Sequence, residues 1–144
     1  MKHGKFQFLP FAVFLVFLGL WTWKLLEASP VPESLTHGWS LDLKFIASKI
    51  LHVSAYGFLT LLAAWLPVRR LYFWGVVGVL MLHAIGTEIG QCYVPNRSGS
   101  VRDVCLDWFG IGLGLAFLQI SGLRRLAGVE DANNHLSQGE WTTP

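Results

Sequence analysis

The sequence has 144 residues, enough for one soluble domain or a small membrane bundle. Hydrophobic residues make up 53% of it and charged ones only 14%, against roughly 25% charged in a soluble domain, so a membrane protein is the first expectation. The formal charge of +2, with basic residues scattered in pairs and no aromatic-basic interleaving, excludes a nucleic-acid partner, and 2 cysteines are too few for a disulfide framework.

Lys2, His3 and Lys5 precede an uncharged run from Phe6 to Trp23, and Lys24 closes it. The run reaches the ~20 residues that span a bilayer, so residues 6–26 are read as the first helix. Pro10 falls in its first turns, where a missing N–H costs least. Trp21 and Trp23 sit where an interfacial aromatic belt is expected. A cleaved secretory signal is the rival, with Leu26-Glu27-Ala28 as a poor cleavage site. The run exceeds the usual 7–15-residue apolar core of such signals, which favours an uncleaved helix. Residues 27–44 read as a polar connection broken by Pro30, Pro32 and Gly38. Leu35, Trp39, Leu41 and Leu43 fit a segment that rests on the membrane surface, and an ordinary loop is the equal alternative.

The second span covers residues 45–66, the third 71–91 and the fourth 101–120. Pro67-Val68-Arg69-Arg70 is a tight basic turn, and Asn96, Ser98 and Gly99 mark a second one. Residues 1–126 are thus expected to form one membrane domain, and residues 127–144 a disordered polar tail. The expected fold class is an all-α four-helix transmembrane bundle. Lysine and arginine are nearly balanced between its two sides, and the short, unopposed Arg69-Arg70 turn decides the orientation. Both termini are read as cytoplasmic.

That topology gathers the polar residues. Lys49, His52 and Tyr56 lie in the first turns of the second span, Glu88 and Gln91 at the end of the third, Arg97 in the turn, and Asp103 and Asp107 at the start of the fourth. All fall at one level, the extracytoplasmic ends of helices two to four. At ~100° per residue, Lys49, His52 and Tyr56 share one face, and Asp103, Asp107, Gly110 and Gly114 share another. Gly110 and Gly114 form a small-xxx-small pattern for close helix packing. Ionisable groups in a span are a functional-site hypothesis by default.

Each residue also has a plainer reading. Lys49 can snorkel to the interface. His52 lies deeper and needs a partner such as Glu88 or Asp103. His83 reads as a satisfied interhelical hydrogen bonder, Asp103 as a cap or first-turn acid favoured by the helix dipole, and Arg97 as a headgroup anchor. Cys92 and Cys105 flank one turn, with a disulfide as the minority reading.

With these residues in hand, the chain resembles the VanZ-like family of small bacterial membrane proteins. The matching pieces are Lys49-x-x-His52-x-x-x-Tyr56, Glu88-x-x-Gln91, Arg97, and Asp103-x-x-x-Asp107-x-x-Gly110-x-x-x-Gly114, covering residues 49–114. Two departures stand out: Ser48 occupies a position that is often acidic in the family, and Asp107 one that is often asparagine. The family is named for a protein associated with reduced susceptibility to teicoplanin, so the resemblance implies a cell-envelope setting and a link to antibiotic resistance.

Three functions fit. The first is a non-enzymatic envelope protein that binds an anionic or lipid-linked ligand, such as a lipid-linked envelope precursor or a lipoglycopeptide. Its ligand-binding set would be Lys49, His52, Tyr56, Glu88, Gln91, Arg97, Asp103 and Asp107, with Arg97 using its bidentate fork. The second is a structural or partner-binding protein with the polar cluster as internal glue. The third is an intramembrane enzyme acting on a lipid headgroup, with His52 and the carboxylates holding a metal or acting as base. No metalloprotease, nucleophile-elbow or phosphate-loop motif is present, one histidine is thin for zinc, and no cofactor is expected.

Overall fold

The computed structural model describes residues 8–27, 36–95 and 97–121. These form four helices, α1 (Leu9–Leu26), α2 (Leu41–Trp65), α3 (Arg70–Gln91) and α4 (Val101–Ile120), with no strand among the described residues. All four are long and apolar enough to cross a membrane. The expected tail at 127–144, the residues before 8 and most of the first connection lie outside the described residues.

Local chemistry sets the helix ends. Pro10 occupies the first turn of α1, as its missing donor allows. α2 starts at Leu41 rather than at residue 45, because Ser40 caps it: the Ser40 hydroxyl accepts from the Leu43 N–H at 3.2 Å. The last part of the expected polar connection is therefore helical, and Asp42 sits in the first turn, where the dipole favours an acid. Gly38 precedes the cap with φ +85°, a conformation that suits glycine. Pro67 ends α2, and the chain re-enters α3 within four residues.

The short connections make α2 and α3 antiparallel, and α3 and α4 antiparallel, so α2 and α4 run parallel. These two pack closest, backbone against backbone. A Cβ built on Gly110 would lie 2.3 Å from the Val53 carbonyl oxygen, and one on Gly114 would lie 2.8 Å from that of Gly57. Only glycine permits that approach. Helix α1 lies on the outside of α2 and α3 through Phe17, Trp21 and Leu25; the Phe17 and Phe58 rings meet edge to face at 5.2 Å. Buried Leu25, Leu59, Ala63, Leu80, Ala84, Ile111 and Leu118 form the core. Leu15, Val16, Val79, Leu82, Phe109 and Leu113 face outward, as a lipid-facing shell requires.

One end of the bundle therefore collects the N-termini of α2 and α4 and the C-termini of α1 and α3. The expected polar residues lie at that end.

Candidate functional site

The polar side chains are stacked in three layers. In the outer layer, the Lys49 ammonium donates to both oxygens of Asp103, at 2.5 and 2.6 Å. The pair is only part-buried, with side chains 22% and 8% exposed. Lys49 also lies 4.8 Å from the centre of the Phe45 ring, and the exposed Arg102 approaches the same ring at 5.9 Å. Two cations thus approach one aromatic ring in this layer.

Arg97 spends its fork on acceptors of the chain itself. One terminal nitrogen donates to the carbonyls of Leu25 at 3.1 Å and Glu27 at 3.0 Å, and the other donates to Gln91 Oε1 at 2.9 Å. The helix dipole explains the choice, since the last carbonyls of α1 attract a cation. Burial lowers the guanidinium from its usual value, and Glu88 and Asp103 oppose that shift. Gln91 in turn donates to Glu88 Oε1 at 3.2 Å. The other Glu88 oxygen accepts from the Ser100 N–H at 2.7 Å, so a side chain of α3 caps α4. Gly99 makes room for this turn: a Cβ there would fall 2.1 Å from the Glu88 carbonyl oxygen.

In the middle layer, His52 Nδ1 meets Asp107 Oδ1 at 2.9 Å, with both side chains at 0% exposure. The expected partners of His52 were Glu88 or Asp103. Parallel packing of α2 and α4 instead puts His52 opposite Asp107, one turn below the Lys49–Asp103 pair. An ionised carboxylate only accepts, so Nδ1 carries the hydrogen. His52 Nε2 and Asp107 Oδ2 are buried without a hydrogen-bond partner, and so is Trp21 Nε1. His52, Glu88 and Asp107 each offer one donor atom, and these atoms lie within 4.8 Å of one another.

In the inner layer, the Tyr56 hydroxyl meets His83 Nδ1 at 2.9 Å, and His83 Nε2 meets Thr22 Oγ1 at 2.8 Å. The Thr22 hydroxyl donates to the Leu18 carbonyl at 2.7 Å, which leaves it as acceptor toward His83. His83 therefore carries its hydrogen on Nε2 and accepts from Tyr56 at Nδ1. His83 is the interhelical hydrogen bonder that its position suggested.

The eight expected residues thus converge on one end of α2, α3 and α4, with Gly110 and Gly114 at the α2–α4 seam. Sequence reasoning missed α1. Trp21 meets the His52 ring at 5.8 Å and the Tyr56 ring at 6.4 Å, both edge to face, and Thr22 completes the inner layer. The signal available was a lone hydroxyl beside a tryptophan in an apolar run. Trp21 also lines an open apolar groove of about 310 Å³ between α1 and α2, together with Phe17, Leu20, Trp23, Ala55, Phe58 and Leu59. Lys24 lies on the same groove and pairs with Glu27. Cys92 and Cys105 are free and exposed, and no disulfide joins them.

The family model described as VanZ/LLP1 matches residues 1–122. The chain belongs to that family. No curated protein and no solved structure matches it significantly. Within this VanZ/LLP1 chain, the match spans all four helices, including the α1 residues that close the site.

Proposed function

We propose that this VanZ/LLP1 protein lies in the bacterial cytoplasmic membrane with both termini inside, and binds an anionic, lipid-linked ligand at the outer end of its bundle. The supporting observation is that Trp21 is a shared wall. Its ring packs edge to face with His52 and Tyr56, and the same side chain lines the apolar groove. An acyl or prenyl tail in the groove brings its headgroup to the level of Lys24, Lys49 and Arg102. Two of the three Lys49 donors go to Asp103, and the third has no partner among the described residues. Arg102 is exposed, with Phe45 as its neighbour. The phosphate contact therefore falls to Lys49 and Arg102, while Arg97, Gln91 and Glu88 hold the turn and the ends of α1 and α4. A lipoglycopeptide antibiotic offers the same combination of acyl tail and polar head, and is a second ligand of that class.

Native mass spectrometry of the detergent-purified protein tests this reading. Incubation with polyprenyl phosphate, phosphatidylglycerol or phosphatidylcholine should give preferential retention of the phosphate-terminated or anionic lipids. Arg102→Gln should weaken that preference, and Ala55→Trp, which fills the groove, should lower retention of all three. Equal retention of anionic and zwitterionic lipid by the wild type refutes the reading.

A further inference from the structure

We propose that His52, Glu88 and Asp107 bind a single divalent transition-metal ion of the Mn(II), Fe(II) or Zn(II) class. The inference does not rest on a lipid at the mouth of the site.

Three helices contribute one ligand each: His52 from α2, Glu88 from α3 and Asp107 from α4. Their exposures are 0%, 4% and 0%, so none is an ordinary solvated acid or imidazole. The donor atoms lie within 4.8 Å of one another. Ligands held tetrahedrally at about 2.0–2.1 Å from zinc are about 3.3 Å apart, so the set closes by about 1.5 Å at most. Side-chain rotation covers that distance.

A second, independent observation points to a ligand. Asp107 Oδ2 is fully buried and has no hydrogen-bond partner. His52 Nδ1 lies 2.9 Å from Asp107 Oδ1, so an ion held between the two takes His52 through Nδ1 and displaces the hydrogen there. Buried polar atoms are rarely left so, and a carboxylate oxygen left so within this triad marks a site built to satisfy it from outside the chain. Glu88 is already oriented: it accepts from the Ser100 N–H and from Gln91, and each carboxylate oxygen keeps a further lone pair. Donors held from behind in this way are what a metal site needs.

Charge supports the same conclusion. Two carboxylates and one imidazole share a buried volume at the edge of hydrocarbon. Lys49 is taken up by Asp103, and Arg97 by the α1 carbonyls and Gln91. A divalent ion balances the two carboxylates. One nitrogen and two oxygens, with no thiolate, suit Mn(II), Fe(II) or Zn(II), and the imidazole disfavours Ca(II) and Mg(II).

The test uses the full chain in detergent with no lipid ligand added. The protein is loaded with Mn(II), Co(II) or Zn(II) in separate samples, dialysed, and assayed for metal by mass spectrometry. Wild type should retain about one ion per chain, and the Co(II) form should show the visible absorption of a low-coordinate site. Asp107→Asn and His52→Ala should lose at least nine-tenths of the metal, whereas Asp103→Asn and His83→Gln should keep it. Metal should also raise the melting temperature of wild type and not of Asp107→Asn. Because Asp107→Asn preserves side-chain shape, its own melting curve shows whether the fold survived. If a substituted chain fails to fold, the wild-type cobalt spectrum and stoichiometry decide alone. No metal retained by wild type, or equal retention by a folded Asp107→Asn chain, overturns the proposal and leaves water as the partner of Asp107 Oδ2.

Discussion

Replacing Gly110 by alanine is the sharpest test of how this bundle holds its site. The added Cβ would sit 2.3 Å from the Val53 carbonyl oxygen and 3.0 Å from the Val53 carbonyl carbon and Cα. Carbon–oxygen contacts normally begin near 3.3 Å, so α2 and α4 must part by about 1 Å. The obstacle is backbone, which cannot rotate away. Overpacking costs about 1–3 kcal/mol, and a rigid neighbour places this case at the upper end. About 3 kcal/mol is roughly a 150-fold loss in folding equilibrium. The His52–Asp107 bond, 2.9 Å long, crosses the same seam. A 1 Å separation carries it to about 3.9 Å, past hydrogen-bond reach. Gly112→Ala is the internal control, because a Cβ there meets nothing within 4 Å. In a helix, alanine is favoured over glycine by up to about 1 kcal/mol, so this change should be neutral or stabilising. Gly114→Ala and Gly57→Ala, with contacts at 2.8 and 3.2 Å, should fall between the two. Thermal unfolding in detergent measures all four. A Gly110→Ala protein that melts with wild type, or that shifts by the same amount as Gly112→Ala, refutes the close-packed seam.

Four further outcomes are expected. Arg97→Lys replaces a guanidinium that serves three acceptors, and should cost about 2–4 kcal/mol with faster amide exchange in the last turn of α1; unchanged exchange there contradicts the clamp. A double-mutant cycle of Lys49→Met with Asp103→Leu should return a coupling of about 1–3 kcal/mol, between the values of exposed and buried pairs, and zero coupling would make the pair incidental. Tyr56→Phe removes the donor to His83 Nδ1 and should lower stability by about 1–3 kcal/mol, while an unshifted melting curve would show that the contact contributes nothing. The exposed Cys92 thiol should react with membrane-impermeant reagent on intact cells without prior reduction, and reaction only after permeabilisation would invert the bundle.

The spans were legible because uninterrupted apolar runs have few other uses. Periodicity also placed Lys49, His52 and Tyr56 on one face and Asp103 and Asp107 on another. It could not give the relative height of two helices, and so His52 was paired with Glu88 or Asp103 rather than Asp107. Parallel packing through Gly110 and Gly114 sets that height, and it becomes visible only when both backbones are in place. The start of α2 was misjudged by four residues because the Ser40 cap outweighs the polar look of residues 41–44. Trp21 read as an interfacial aromatic, yet it is buried at 8% exposure between His52 and the groove. Arg97 read as a ligand contact. The unsatisfied carbonyls at the end of α1 compete for the same fork, and a linear pattern does not show them nearby.

The parallel pairing of α2 with α4 sets a timetable for biogenesis. Lys49 and its partner Asp103 are 54 positions apart, and His52 and Asp107 are 55 apart. At about 5–20 residues per second, the ribosome needs roughly 3–11 s between making one half of each pair and the other. During that interval α2 carries an ammonium and an imidazole at the bilayer edge with no carboxylate opposite. A nascent chain truncated before α4 keeps those groups unmatched, so the polar end of the bundle is completed only when the last helix is in place.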